Sequence, residues 1–425
     1  MRLAPPAPDV SGAASVLYGL GGYTLIYDNQ GCRGGIMRVD ERRWKAAPQA
    51  VESAPLTEID VQLGNMDPFI DQAVSYARKH RPAFVCLMGG PLSACTGVDL
   101  HALAREVEAR TGVPSFGLDT NGHDFYDCGV TKALEALYRK FCDVEDASGV
   151  VVPAAAEVPA AAEGSARARR VNVLGAVRLD MENPAWLDAL LADLGTRGFE
   201  VNVVLGGMKP DFEVLTRLTC ADVNLVVNAA AVPLARLMHE ERGIPFVAGL
   251  PMGEAACEWL AERLERALGD GGAGGAEGAD AAADTAELVD PASDCTPAVL
   301  LVGEQVAMNG LRELLEDRGF TGGVDVATLF AFERDLARAG DRCIPDERSL
   351  DDLIGSGYAC VVADNLVERM TADHSGVRFV PLPHAPLSSR KFCSQIPQLV
   401  GPEPDMRLLD AIVAAASSKR EVKAL

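Results

Sequence analysis

The sequence predicts an α/β protein made of three Rossmann-like parallel α/β domains around a central cleft. Three observations lead there. Short, uniformly apolar runs alternate with amphipathic stretches, which is how strands covered by helices on both faces read. Two compositionally biased segments, 143–170 rich in Ala, Pro and Glu and 269–295 rich in Gly, Ala and Asp, divide the chain into blocks. A length of 425 residues also exceeds what one hydrophobic core serves. The expected division is a first domain over 1–142, a linker over 143–170, a second domain over 171–268, a linker over 269–295 and a third domain over 296–383. A C-terminal loop and helix over 384–425 is expected to return to the first domain.

In the first block, Phe69, Ile70, Ala73, Val74 and Ala77 recur at helical spacing from Asp67 to His80, with Pro68 suited to the first turn. The apolar run AFVCLMG (83–89) follows as a strand, then GPLSACTG, a helix with Leu100, Leu103, Ala104 and Val107 on one face, and a strand from Pro114 to Leu118. The second block repeats the alternation: strands at 171–177, 200–206, 223–228 and 245–251, with helices opened by Asn183 and Pro184, near 211–220, near 232–242, and from Gly253 to Leu268. The third has strands at 298–303, 324–330, 359–365 and 379–383, a helix ending at Gly319, and a last helix from Pro404 to Lys419.

Charge and cysteine usage exclude whole classes. A formal charge of −22 leaves no sizeable cationic surface for nucleic acid or an anionic membrane. No stretch resembles a membrane span, and MRLAPPAPDVSG has no apolar core of a signal peptide, so a cytoplasmic location is expected. Eleven cysteines, falling singly in apolar runs as at Cys86, Cys220 and Cys360, read as reduced and structural rather than as a disulfide framework.

Several strings carry no chemistry. GDGGAG (269–274) follows a helix instead of a strand, so it cannot be a dinucleotide turn. HEERG (239–243) lacks the second histidine one turn on, and His80 in KHRP reads as a helix end. No Gly-Lys-Ser/Thr occurs, so the chain is not expected to hydrolyse nucleotide itself.

Ligands of parallel sheets sit beyond the carboxyl ends of the strands. The turns to read are therefore 31–35, 89–97, 118–129, 206–210, 250–254, 302–305 and 382–390. Gly31 and Gly34 flank Cys32. Gly89 and Gly90 let backbone amides approach an anionic group just before a helix that carries Ser93. Asp119, Asn121, His123 and Tyr126 bring polar side chains to the end of the neighbouring strand, although Asp-Thr-Asn-Gly is equally turn and capping chemistry.

The string YTLIYDNQGCRGG (23–35) resembles a turn of the nitrogenase component 1 family. Further pieces fall in family order: DERRW (40–44), LTEIDVQLG (56–64), RPAFVCLMGGPLSACTGVDL (81–100), TGVPSFGLDTNG (111–122), YDCGVTKAL (126–134), VNVLGAVRLD (171–180), NLVVNAAAVPLAR (224–236) and GIPFVAGLPMG (243–253). The ordered set is similar to the short nitrogenase-like oxidoreductase subunits of anaerobes. The resemblance implies a nitrogenase component 1-like fold, with Cys32 ligating an iron–sulfur cluster, [4Fe-4S] in type, shared across subunits. It also places His384 and Ser388 at the central cleft, with room for a second metallocofactor of unknown kind; together with the polar turn at 118–129, read independently of the family, this makes His123, His384, Asp119 and Tyr126 the catalytic candidates.

The departures are as informative. The family uses three cysteines per chain, but PAPDVSG (6–12) has none and Gly90 stands at the third position, before Pro91. A four-iron cluster takes four protein ligands, so Cys95, an aspartate such as Asp28 or Asp9, or a partner chain must complete it. In the related dark-operative protochlorophyllide reductase an aspartate does so. The expected function is the catalytic-component subunit of a nitrogenase-like two-component reductase, fed with electrons by a separate nitrogenase reductase-like iron–sulfur ATPase. A homologous second subunit or a second copy is expected beside it. The alternatives are a non-catalytic scaffold or carrier for a metallocluster or tetrapyrrole-like ligand, and a cluster-free binding module.

Overall fold

The computed structural model describes residues 3–28, 32–36, 40–45, 47, 49–54, 57–142, 169–269 and 298–417, without the side chains of 32, 33, 42, 45, 214 and 390. The predicted linkers lie almost wholly outside the described residues. Three parallel sheets follow one another along the chain. The first holds β1 (Tyr23–Tyr27), β2 (Ala50–Ser53), β3 (Val85–Gly89) and β4 (Ser115–Leu118) in the order β2-β1-β3-β4. The second holds β5 (Arg169–Leu174), β6 (Phe199–Leu205), β7 (Val223–Val226) and β8 (Phe246–Ala248) in the order β6-β5-β7-β8. The third holds β9 (Val299–Val302), β10 (Val324–Thr328), β11 (Arg342–Cys343), β12 (Cys360–Ala363) and β13 (Arg378–Pro381) in the order β11-β10-β9-β12-β13.

Central strands such as β1, β3, β9 and β12 are buried at every residue, as their unbroken apolar runs require. The helix Asp67–His80 buries Phe69, Ile70, Ala73, Val74 and Ala77, the five positions its periodicity marks, and turns its charged residues outward. Helix Pro184–Thr196 starts where Asn183 accepts a hydrogen bond from the Ala185 amide and Pro184 occupies the first turn. One hydrophobic cluster runs through all three domains, joining Ile26 and Tyr126 to Leu174, Val226, Leu300 and Phe330.

Two elements differ from the sequence expectation. Residues Asp9–Leu17 form a helix buried over its whole length; its mix of Ser, Gly and Ala gives no amphipathic period, because it has no solvent face. It crosses the helix Tyr126–Phe141 so closely that a Cβ at Gly12 would overlap the Tyr126 carbonyl, and one at Gly129 the Asp9 carbonyl. The last helix, Met406–Ser417, does not return to the first domain. Its apolar face, Leu408, Leu409, Ile412 and Ala416, packs on β12 and β13 in the core shared by the second and third domains. The segment that returns is the preceding loop, whose Pro386 carbonyl accepts the Ala7 amide at 2.7 Å.

Among the described residues no helix is long and apolar enough to cross a membrane. The thiols of Cys257 and Cys360 are pushed up to about 12 by burial, consistent with packing rather than reactive roles.

Candidate functional site

Ligands of an open parallel sheet meet it where the strand order reverses. Each sheet has one such point: between β1 and β3, between β5 and β7, and between β9 and β12.

At the first, Tyr27 pairs with Gly89, so Asp28 and Gly90 leave the sheet side by side. Asp28 is buried, and a Cβ at Gly90 would overlap its carboxylate. That carboxylate therefore fills the space a side chain at 90 needs. The Gly90 amide donates to Ser93 Oγ at 2.9 Å and Ser93 Oγ donates to the Gly90 carbonyl at 2.8 Å, while Thr120 Oγ1 donates to the Gly89 carbonyl at 2.7 Å. The helix Cys32–Gly35 opens just beyond β1, and a Cβ at Gly34 on it would meet nothing within 4 Å among the described residues. Gly31 and the Cys32 side chain lie outside the described residues. Cys95 is exposed on the one-and-a-half-turn helix Pro91–Thr96.

The other two points converge on one buried polar cluster. Asp180, beyond β5, is its centre: Oδ1 accepts the Tyr126 hydroxyl at 2.5 Å and lies 2.8 Å from His384 Nε2, and Oδ2 accepts Asn228 Nδ2 at 2.6 Å. With Nε2 donating to Asp180, His384 Nδ1 is a bare acceptor, buried and without a partner among the described residues. Asp364, beyond β12, fixes the histidine's backbone by accepting its amide at 2.8 Å. The Phe330 ring meets Tyr126 and His384 edge-on, with centroids 4.9 and 5.3 Å away. Glu304, beyond β9, accepts the Ala229 amide at 2.9 Å and the Ala307 amide at 2.8 Å, so it both caps a third-domain helix and ties down the second domain.

Low solvation and crowding of like charge raise the proton affinity of this cluster. Burial, reinforced by the Asp180 charge, raises Glu304 to about 7. Burial likewise raises Asp127, whose Oδ1 has no partner among the described residues, to about 6, with Asp180 adding to it. Tyr126 is driven well above the ordinary phenol value by burial and then by Asp180. The cluster can thus hold and exchange protons near neutral pH.

Of the residues singled out in the sequence, Tyr126 and His384 come together here, and Ser388 Oγ donates to the His384 carbonyl at 3.4 Å. Asp119 and His123 do not join them. Asp119 meets His101 Nε2 at 3.0 Å in solvent, and His123 is exposed, its amide held at 2.7 Å by Asn121 Oδ1. Asn121 Oδ1 also accepts the Asp124 amide, so Asp-Thr-Asn-Gly here makes a turn. Asp9 accepts the Asn121 amide with one carboxylate oxygen and the Gly122 amide with the other, both at 2.8 Å, so here it anchors this turn. Sequence reasoning missed Asp180, Asn228, Glu304, Asp364, Asp127 and Phe330. A usable signal existed: every one but Asp127 lies at or just beyond a strand's carboxyl end, and Glu304 lies in the turn 302–305.

No curated protein matches the sequence significantly. Among solved structures, "Nitrogenase Cp1 at pH 6.5" superposes with a TM-score of 0.66 at 14% identity, covering 99% of this chain and 94% of that one. "Nitrogenase Cp1 at pH 5" gives 0.57 at 13% identity, covering 99% and 88%. At these identities the likeness is one of fold. The family itself comes from the sequence, which matches the nitrogenase component 1 type oxidoreductases over residues 9–360. The chain belongs to the nitrogenase component 1 type oxidoreductase family.

Proposed function

We propose that this chain is the catalytic-component subunit of a nitrogenase-like two-component reductase. In this reading a separate iron–sulfur ATPase delivers low-potential electrons through a [4Fe-4S] cluster shared with a second, homologous or identical chain. A substrate in the central cleft receives them together with protons. The observation that carries the reading is the first switch point: in a member of this family, the helix opened by Cys32 follows a buried Asp28 whose carboxylate stands where the side chain of residue 90 would be.

The donor set fits half a cluster. Cys32 and Asp28 are the two donors nearest each other in sequence, Cys95 is a weaker third on the helix Pro91–Thr96, and Asp9 already accepts the Asn121 and Gly122 amides. Four ligands are needed, so the second chain must contribute, which makes the cluster an interface group. When bound, it supplies one-electron transfer at low potential.

The rest of the work falls to this chain's own residues. Tyr126, Asp180 and His384 form one hydrogen-bonded line, and Glu304 and Asp127 beside it gain and lose protons near neutral pH. Reduction consumes protons with electrons, and these five groups are placed to store and hand them on. His384 Nδ1 offers a lone pair to a substrate or a second metallocofactor. Ser388 holds the His384 loop, and the Gly89–Gly90 turn holds the backbone beneath Asp28.

The test is anaerobic purification with co-purifying proteins, then iron and sulfide analysis and electron paramagnetic resonance on wild type and Cys32→Ala. The reading expects about four irons per dimer, absent from the variant, and reduction of the cluster by the family's ATPase component with ATP. An iron-free dimer that the substitution leaves unchanged overturns it in favour of a cluster-free cleft-binding module. The cysteine-free segment 6–12 and Gly90 favour a second reading, a carrier; it predicts a labile cluster that the ATPase does not reduce.

A further inference from the structure

Away from the cleft, the second and third domains enclose a cavity of about 60 Å³ between the helices Glu254–Gly269 and Gln305–Asp317. That is room for a few waters or one small anion. Two of the residues lining it are arginines that the fold has almost removed from solvent: Arg263 is 6% exposed and Arg312 2%. A buried guanidinium without a counter-charge is costly, and so is each of its N–H groups left without an acceptor.

Their partners differ. Arg312 is compensated: Nη1 meets Asp341 Oδ1 at 2.6 Å and Nη2 donates to Asn309 Oδ1 at 2.8 Å, leaving only Nε without an acceptor. Arg263 is not. Its guanidinium lies 4.4 Å from the Trp259 ring centroid, Nη1 donates to the Ala248 carbonyl at 3.3 Å, Nε has no acceptor, and no carboxylate stands within 4 Å among the described residues. The other charged groups of the wall are engaged elsewhere: Arg338 with Glu316 at 2.6 Å and Asp335 with Arg236 at 2.9 Å. Glu313 faces the same space with no ion pair among the described residues; burial raises its carboxyl above the ordinary value, against the charges of Arg338, Arg263 and Arg312.

We propose that this cavity is a binding site for a small oxyanion, an inorganic phosphate or the carboxylate of a small molecule. Arg263 and Arg312 would hold it, so that it bridges the second and third domains. The guanidinium fork matches either oxyanion. Glu313 opposes the ligand, because its charge stands on the same wall. The helix that carries Arg312 is the one Glu304 caps, so occupancy would also stiffen the floor of the cleft. The inference is independent of the function proposed above.

The full chain, in a chloride buffer of fixed ionic strength, is titrated with inorganic phosphate and separately with acetate, by calorimetry and thermal unfolding. At least one of the two is expected to bind saturably and raise Tm, and their relative affinity identifies the source of the oxyanion. Arg263→Met is expected to weaken binding about tenfold or more, the loss of one charge-assisted hydrogen bond. Glu313→Gln is expected to tighten binding, and it serves if the arginine variant does not fold. The proposal is overturned if neither anion acts beyond chloride, or if Arg263→Met leaves the response unchanged. It is overturned too if Glu313→Gln weakens binding, which would make the gap an internal, water-bridged Arg263–Glu313 pair.

Discussion

The turn that carries Cys32 and the cleft around Asp180 are built by the same rule, at points where a parallel sheet reverses its strand order, yet they are finished differently. At the first, one buried carboxylate sits under a glycine turn and an exposed cysteine lies on the short helix that follows it. At the second, three domains converge, and both oxygens of Asp180 are engaged by Tyr126, His384 and Asn228. The lesson is one of sidedness. Where three domains meet, one carboxylate can be engaged from several sides at once, whereas a carboxylate at the edge of one sheet is enclosed by its own turn alone.

That contrast can be broken. The largest effect is expected from Gly129→Ala, since the new methyl would overlap the Asp9 carbonyl at the crossing that positions Tyr126. A loss of roughly 3 kcal/mol is expected, measured by urea unfolding, with cleft and first switch point both disturbed because Asp9 also anchors residues 121 and 122. If stability is unchanged, the helix crossing is not what holds the cleft.

Next comes the pH dependence of the cleft. Glu304 and Asp127 are held above their ordinary values, to about 7 and about 6, so the folded state binds their protons more tightly than the unfolded chain. The stability this provides is complete below the ordinary carboxyl range, about pH 4, and is lost as the pH rises through about 6 and then about 7. Glu304→Gln removes its part, so the wild-type minus variant difference should shrink by about 3 kcal/mol between pH 4 and 8. A flat difference across that range would mean that Glu304 is an ordinary cap.

Smaller effects sharpen the comparison. Tyr126→Phe removes one hydrogen bond to a carboxylate and is expected to destabilise by about 1.5 kcal/mol, with iron content unchanged; loss of iron would couple the two regions. Gly90→Ala should displace the Asp28 carboxylate at a cost of about 1 kcal/mol and change iron content without changing the pH profile. Gly34→Ala, whose new methyl meets nothing within 4 Å among the described residues, should stay within about 0.5 kcal/mol of wild type.

Much of this architecture is legible along the chain. The stripe from Phe69 to Ala77 and the apolar runs of β3, β7 and β12 declare themselves because their periods repeat within a few residues. The buried helix Asp9–Leu17 is illegible for the complementary reason: an element buried on all sides has no polar face to set a period. For the site, Tyr126 and His384 were readable as polar residues after strands. So were Asp119 and His123, which the structure turns outward, because local turn chemistry and ligand chemistry use the same residue types.

The sequence alone determined the three alternations of strand and helix, the glycine turn at 89–90, the single cysteine of the Cys32 turn and the missing partners that a family cluster would need. These are short-range facts, set by side-chain period and residue identity. Tertiary structure alone decided that Asp180 would meet a tyrosine 54 residues before it and a histidine 204 residues after it, and that Glu304 would be buried beside that charge. It also decided that the final helix would cover β12 and β13 instead of the first domain. Such juxtapositions arise from how finished domains pack, and a carboxylate's proton affinity follows from the solvent and charges that packing leaves around it.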